Sequence, residues 1–126
     1  KLAYIKSKDD TYSDLMRAFN EGTSALQNLK DDEVAASTKL LDVIQTYKKA
    51  LSESDLANKK ARIDKDVTTM IHFNLLEIYF ALKDVTSTES TLSELNGLDL
   101  STSDRKEKEV YEKQILDLKK RIAANI

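Results

Sequence analysis

The chain has no cysteine, no proline and two glycines in 126 residues. Without cysteine, disulfides and thiolate metal sites are excluded, and the redox state of the compartment leaves no mark on the sequence. Without proline, nothing forces a helix to break, so long uninterrupted helices are expected. With Gly22 and Gly97 alone there is no phosphate-cradling loop, no nucleotide-binding glycine pattern and no serine elbow. A net charge of -2 and a pI near 5.5 lack the basic excess expected of a nucleic-acid binder. The longest run free of charge, Val67 to Leu76, falls well short of the roughly 20 apolar residues that a membrane span needs.

What is present is apolar periodicity within a chain that is 40% hydrophobic and 33% charged, enough to bury one core. Residues 1–126 are expected to form a single helical domain or a piece of a longer array. The dominant stretch is Met70-Ile-His-Phe-Asn-Leu-Leu-Glu-Ile-Tyr-Phe-Ala-Leu82, which is apolar on nearly every side of a helix. Such a helix is normally buried from several directions. Around it the spacing predicts helices over 12–30, 33–51, 56–82, 86–96 and 103–124.

Thr11 with Asp14, and Thr86 with Glu89, have capping-box spacing, while Asp31, Asp32, Ser101 and Ser103 are further N-cap candidates. Tyr12, Leu15, Met16, Phe19, Leu26 and Leu29 are expected inward on the first helix, with Gly22 marking a close backbone approach. Ala36, Leu40, Val43, Ile44, Tyr47 and Leu51 are expected inward on the second. Asn96-Gly97 is a helix-stop signal. The narrow stripe Val110, Tyr111, Ile115, Leu118 and Ile122, with charge on the other sides, describes a terminal capping helix.

Two helix pairs, 12–51 and 56–96, can be overlaid. Phe19, Thr23, Leu26 and Leu29 fall on His72, Leu76, Tyr79 and Leu82 at a constant offset of 53. Val34, Ser37, Leu41 and Ile44 fall on Val85, Thr88, Leu92 and Leu95 at an offset of 51. The run Leu75-x3-Tyr79-x4-Asp84-Val85-x2-Thr88-x3-Leu92 resembles the tetratricopeptide repeat family in degenerate form. Leu76 stands where that family prefers a small residue, and the closing proline is missing.

The resemblance implies an all-α fold of stacked antiparallel helix hairpins in a right-handed array, ended by the 103–124 helix. It also implies a noncatalytic module that holds a protein or peptide partner in a groove. By position, Phe73, Asn74, Glu77 and Phe80 of the second pair and Asn20 and Glu21 of the first would face that groove. Of the family's lysine and asparagine carboxylate clamp, Asn74 alone has a counterpart. The alternative is a ligand-sensing four-helix bundle of a bacterial receptor, which asks for four long helices of similar length.

Chemistry has few candidates. His72 is the sole histidine. It cannot anchor a typical zinc site by itself, and as a general base it lacks an orienting carboxylate on its own helix face. Asp9/Asp10 and Asp31/Asp32 suit helix starts, while Asp64 and Asp66 point to different sides. The expectation is a chain that is not an enzyme, with no metal and no cofactor. Self-association through the 70–82 surface is expected as well. The methionine-free start and the many Ser, Thr and Lys residues point to an exported, envelope-associated domain, with the cytoplasm as the alternative.

Overall fold

The computed structural model describes residues 2–56 and 65–124, with side chains over 12–52 and 67–124. The described residues form five helices and no strand: α1 (Leu2–Asn28), α2 (Glu33–Leu56), α3 (Lys65–Ala81), α4 (Val85–Asn96) and α5 (Thr102–Ala124). Two compact units divide the chain, Lys1–Ile71 and His72–Ile126, the boundary falling within α3. No described helix is long and apolar enough to cross a membrane.

In the N-terminal unit α1 and α2 pack as an antiparallel hairpin about a four-residue turn. Asp31 and Asp32 both donate their backbone N–H to the Asn28 carbonyl at 3.0 Å, which closes α1. Of the two aspartates, Asp32 caps α2: its Oδ1 accepts from the Ala35 N–H at 3.1 Å. The helix α1 starts well before residue 12, so Thr11 and Asp14 lie in its interior and cap nothing. The charged residues 6–10 do not interrupt it, because polarity alone does not stop a helix.

The seam of this hairpin differs from expectation. Leu15, Ala18, Gly22 and Ala25 are buried on α1 at alternating spacings of three and four, whereas Met16 and Phe19 point outward, 63% and 43% exposed. The inward line of α1 is thus made mostly of small residues. Across from it, α2 buries Ala36, Leu40, Val43, Tyr47 and Ala50, again at spacings of four and three, with Ile44 beside them. This is a heptad-type seam, in which large residues of one helix enter the space left by small residues of the other. Glu21 and Lys39 lie 3.8 Å apart across the hairpin, and both Gly22 and Leu40 are buried, Leu40 with no exposed surface.

The C-terminal unit is built on larger side chains. Phe73 and Leu76 of α3 meet Leu92 and Leu95 of α4 and Ile115 and Leu118 of α5, and Leu100 closes the end. Between α3 and α4 the chain turns with Lys83 in the left-handed region, φ 60°. Lys83 donates to the Phe80 carbonyl at 3.0 Å and Asp84 to that of Tyr79 at 2.9 Å. That bond pair is a Schellman helix end, with lysine where glycine is usual. Asp84, not Thr86, then caps α4 by accepting from the Ser87 N–H at 3.2 Å.

Gly97 ends α4 with φ −84°, so it stops the helix without left-handed geometry. Ser101 caps α5 through the Asp104 N–H at 3.1 Å. The expected third helix from 56 onward can be followed only from Lys65, since 57–64 lie outside the described residues. The 70–82 stretch is mostly interior: Ile71, Phe73, Leu75, Leu76, Ile78 and Tyr79 are all buried. That leaves little of the surface through which self-association was expected.

Leu40 and Leu41 are adjacent but lie inside and outside the seam, with 0% and 58% of their surface exposed. In dilute protein, Leu40→Ala is expected to cost about 2–5 kcal/mol, and Leu41→Ala no more than about 0.5 kcal/mol. Urea unfolding followed by circular dichroism compares them, and equal losses would refute the register described.

Candidate functional site

Small residues along the seam leave the two helices with low relief between them, and longer residues outside it form walls. On one side of the hairpin this produces an open groove of about 590 Å³. Ala25 and Ala36 lie at its floor, Asn20, Glu21 and Asn28 along α1, Lys39 along α2, and Asp31 and Asp32 at the turn end. The sequence-derived pair Asn20 and Glu21 is thus brought together on one groove. Lys39 was not singled out from the sequence. Its signal is mirror spacing, since Glu21 and Lys39 stand equally far from Lys30 at the middle of the turn.

The Glu21–Lys39 pair is long and solvated, the side chains 34% and 51% exposed. An ion pair of this kind contributes about 0–1 kcal/mol, so an incoming charged group can replace either member at little cost. Three carboxylates, Glu21, Asp31 and Asp32, against one ammonium make the groove acidic.

The other sequence-derived residues belong to the C-terminal unit. Phe73, 9% exposed, is part of the core and offers almost nothing to a partner. Phe80 is half-buried on the edge of that core, its ring meeting Tyr111 of α5 edge-on at 6.4 Å and 73°. Asn74 is half-buried and Glu77 exposed. Tyr111 responds to this setting: burial first, then the negative charges of Glu77 and Glu107, push its phenol from 10.0 up to about 12. Desolvation and adjacent carboxylates both disfavour the phenolate, so the effects add.

His72 is buried and is supplied with a carboxylate after all. Its Nε2 lies 3.0 Å from Glu94 Oε2 on α4, a partner that no spacing within α3 could reveal. The pair ties α3 to α4. Polar ties also join α4 to α5, from Lys119 to Glu89 at 3.1 Å and from Lys108 to Asn96. Among the described residues no group of three or more His, Asp or Glu side chains is placed to hold a metal ion.

Comparison with protein-family models, with curated proteins and with solved structures finds no match for this chain.

The setting of Tyr111 carries a pH dependence with a definite sign. Below pH 10 the phenol is neutral in both folded and unfolded chains, and its contribution to stability is complete. Between about 10 and 12 the unfolded phenol ionises first, so stability falls as pH rises through the folded value. In a near-ultraviolet titration, Tyr111→Phe should remove a late-ionising step and Glu77→Gln should move that step to lower pH. Titration curves that superimpose for all three proteins would contradict the geometry.

Proposed function

We propose that this chain is a noncatalytic interaction module that holds a partner segment in the groove of its first hairpin. One observation carries the proposal: Asn20 and Glu21, selected by helix position, line a single groove whose charge is set by Glu21, Asp31 and Asp32. The partner that suits such a groove is a basic peptide segment. A lysine or arginine of the partner would displace Lys39 from Glu21, and Asn20 and Asn28 would offer amide hydrogen bonds to its backbone. Asn74, Glu77 and Phe80 give the C-terminal unit a second, smaller contact surface in the same proposal, with Phe73 supporting it from the core.

The degenerate resemblance to the tetratricopeptide repeat supports a stacked-hairpin array of right-handed sense as the architecture behind this role. A sensor bundle of four long, similar helices draws less support, because α4 has 12 residues against 27 in α1 and 24 in α2.

The test is a displayed-peptide library panned against the chain and against its Glu21→Lys and Glu77→Lys variants. Enriched peptides are expected to be rich in Lys and Arg, to bind more weakly as salt rises, and to lose about tenfold or more in affinity to Glu21→Lys, about 1.4 kcal/mol. Glu77→Lys should have the smaller effect. A library that yields no enriched family, or one indifferent to Glu21→Lys, would remove the groove from consideration.

A further inference from the structure

We infer that the groove of the first hairpin reads two basic residues at once, three positions apart on an extended partner segment, one held by Glu21 and the other by Asp31 and Asp32. This rests on the groove being a peptide site and adds which peptides it selects.

The carboxylates of the groove stand at its two ends, not in one cluster. Glu21 lies on α1 with Lys39 of α2 at 3.8 Å, while Asp31 and Asp32 lie at the turn. Both helices give the separation. On α2, Asp32 and Lys39 are seven positions apart. On α1 so are Glu21 and Asn28, whose carbonyl accepts from the Asp31 and Asp32 N–H groups at 3.0 Å. At 1.5 Å per residue the two ends are therefore about 10 Å apart.

Lys39 shows what the Glu21 end accepts, since a lysine ammonium already sits there in an exposed and exchangeable pair. At the turn end, among the described residues, no lysine or arginine is paired with Asp31 or Asp32. Asp32 uses Oδ1 on the Ala35 N–H at 3.1 Å, and a carboxylate has room for further bonds. Of the other nearby cations, Arg17 is paired with Asp14 at 2.8 Å, and Lys30 is not among the residues that line the groove.

The same length bears on the form of the partner. Spread along it, the 590 Å³ of the groove amounts to a cross-section of about 60 Å², less than the roughly 80–110 Å² of a helix about 10–12 Å across with its side chains. A helix also bonds its own backbone, which would leave the amides of Asn20 and Asn28 without a role. An extended segment has no internal hydrogen bonds, so its backbone can meet those amides. In the polyproline form a chain rises about 3.1 Å per residue with three residues per turn, so side chains three apart share one face and stand about 9 Å apart. A lysine or arginine at each of those positions spans the two ends.

The test is a nuclear magnetic resonance titration of the full chain, at low salt, with short synthetic peptides of alanine, serine and proline. Each peptide carries either one lysine or two lysines, one to seven positions apart. Amide shifts of Asn20, Glu21, Asn28 and Asp31 report binding. The pair three apart should bind best, about fivefold or more tighter than the single lysine, as one further exposed ion pair can supply. Glu21→Gln should return that peptide to the single-lysine affinity. Asp31→Asn combined with Asp32→Asn should do the same, since asparagine keeps the cap of α2. Circular dichroism checks that each variant is as helical as the parent, and Asp31→Asn alone serves if the double variant fails to fold. Peptides that bind through Glu21 with no preference for spacing overturn this inference and leave the peptide groove standing. A best spacing of seven, which a helical partner would give, does so too. Groove amides that no peptide moves remove both.

Discussion

The close approach of α1 and α2 is the constraint on which the rest of the N-terminal unit depends. Ala18, Gly22 and Ala25 are the buried small residues of α1, and the larger Leu40, Val43 and Tyr47 are buried on α2, so large side chains of one helix meet small residues of the other. Such a seam brings the helix axes together, since interaxial distance follows the side chains at the contact. It also spends few large apolar residues. Met16, Phe19, Val34 and Leu41 are left outside, and the longer polar residues on the other side become walls of a groove. The two unlike sides of the hairpin are therefore consequences of one packing choice.

The C-terminal unit follows the opposite strategy. Phe73, Leu76, Leu92, Leu95, Ile115 and Leu118 fill its interior with large side chains, and the polar ties lie at its margins. His72 to Glu94, Lys119 to Glu89 and Lys108 to Asn96 all join residues on different helices. Pairs at a surface contribute little individually, and their value here is in fixing which faces of α3, α4 and α5 meet. A buried histidine bonded to a carboxylate is a stronger constraint than the exposed lysine pairs, because its polar atoms have less access to water.

Much of this was legible in the residues. The five helices, the inward face of α2, and the caps at Asp32 and Ser101 follow from periodicity and short-range hydrogen-bond chemistry. The inward face of α1 did not, because alanine and glycine leave no signal in a pattern read from large apolar residues. Met16 and Phe19 therefore drew the predicted face round by one position. The spacing of Thr86 and Glu89 predicts the cap of α4 at Thr86, but the Schellman end of α3 starts α4 at Val85, which leaves Thr86 inside the helix and Asp84 as its cap. Of the residues chosen by helix position, Asn20 and Glu21 line one groove. The contacts of Phe80 with Tyr111 and of His72 with Glu94 join distant parts of the chain, and no local pattern encodes them.

The tight turn between Asn28 and Glu33 has a kinetic meaning. It holds the buried residues of the hairpin close together in the chain, Ala25 and Ala36 nearest the turn, Gly22 and Leu40 further out, Ala18 and Val43 further still. Each layer needs only a slightly larger loop to be closed than the one before, and closure entropy grows slowly with loop length. Assembly can thus proceed as a zipper from the turn, and contacts between sequence neighbours are those that form fastest. A seam that contributes modest burial per layer is compensated by the ease with which each layer is found.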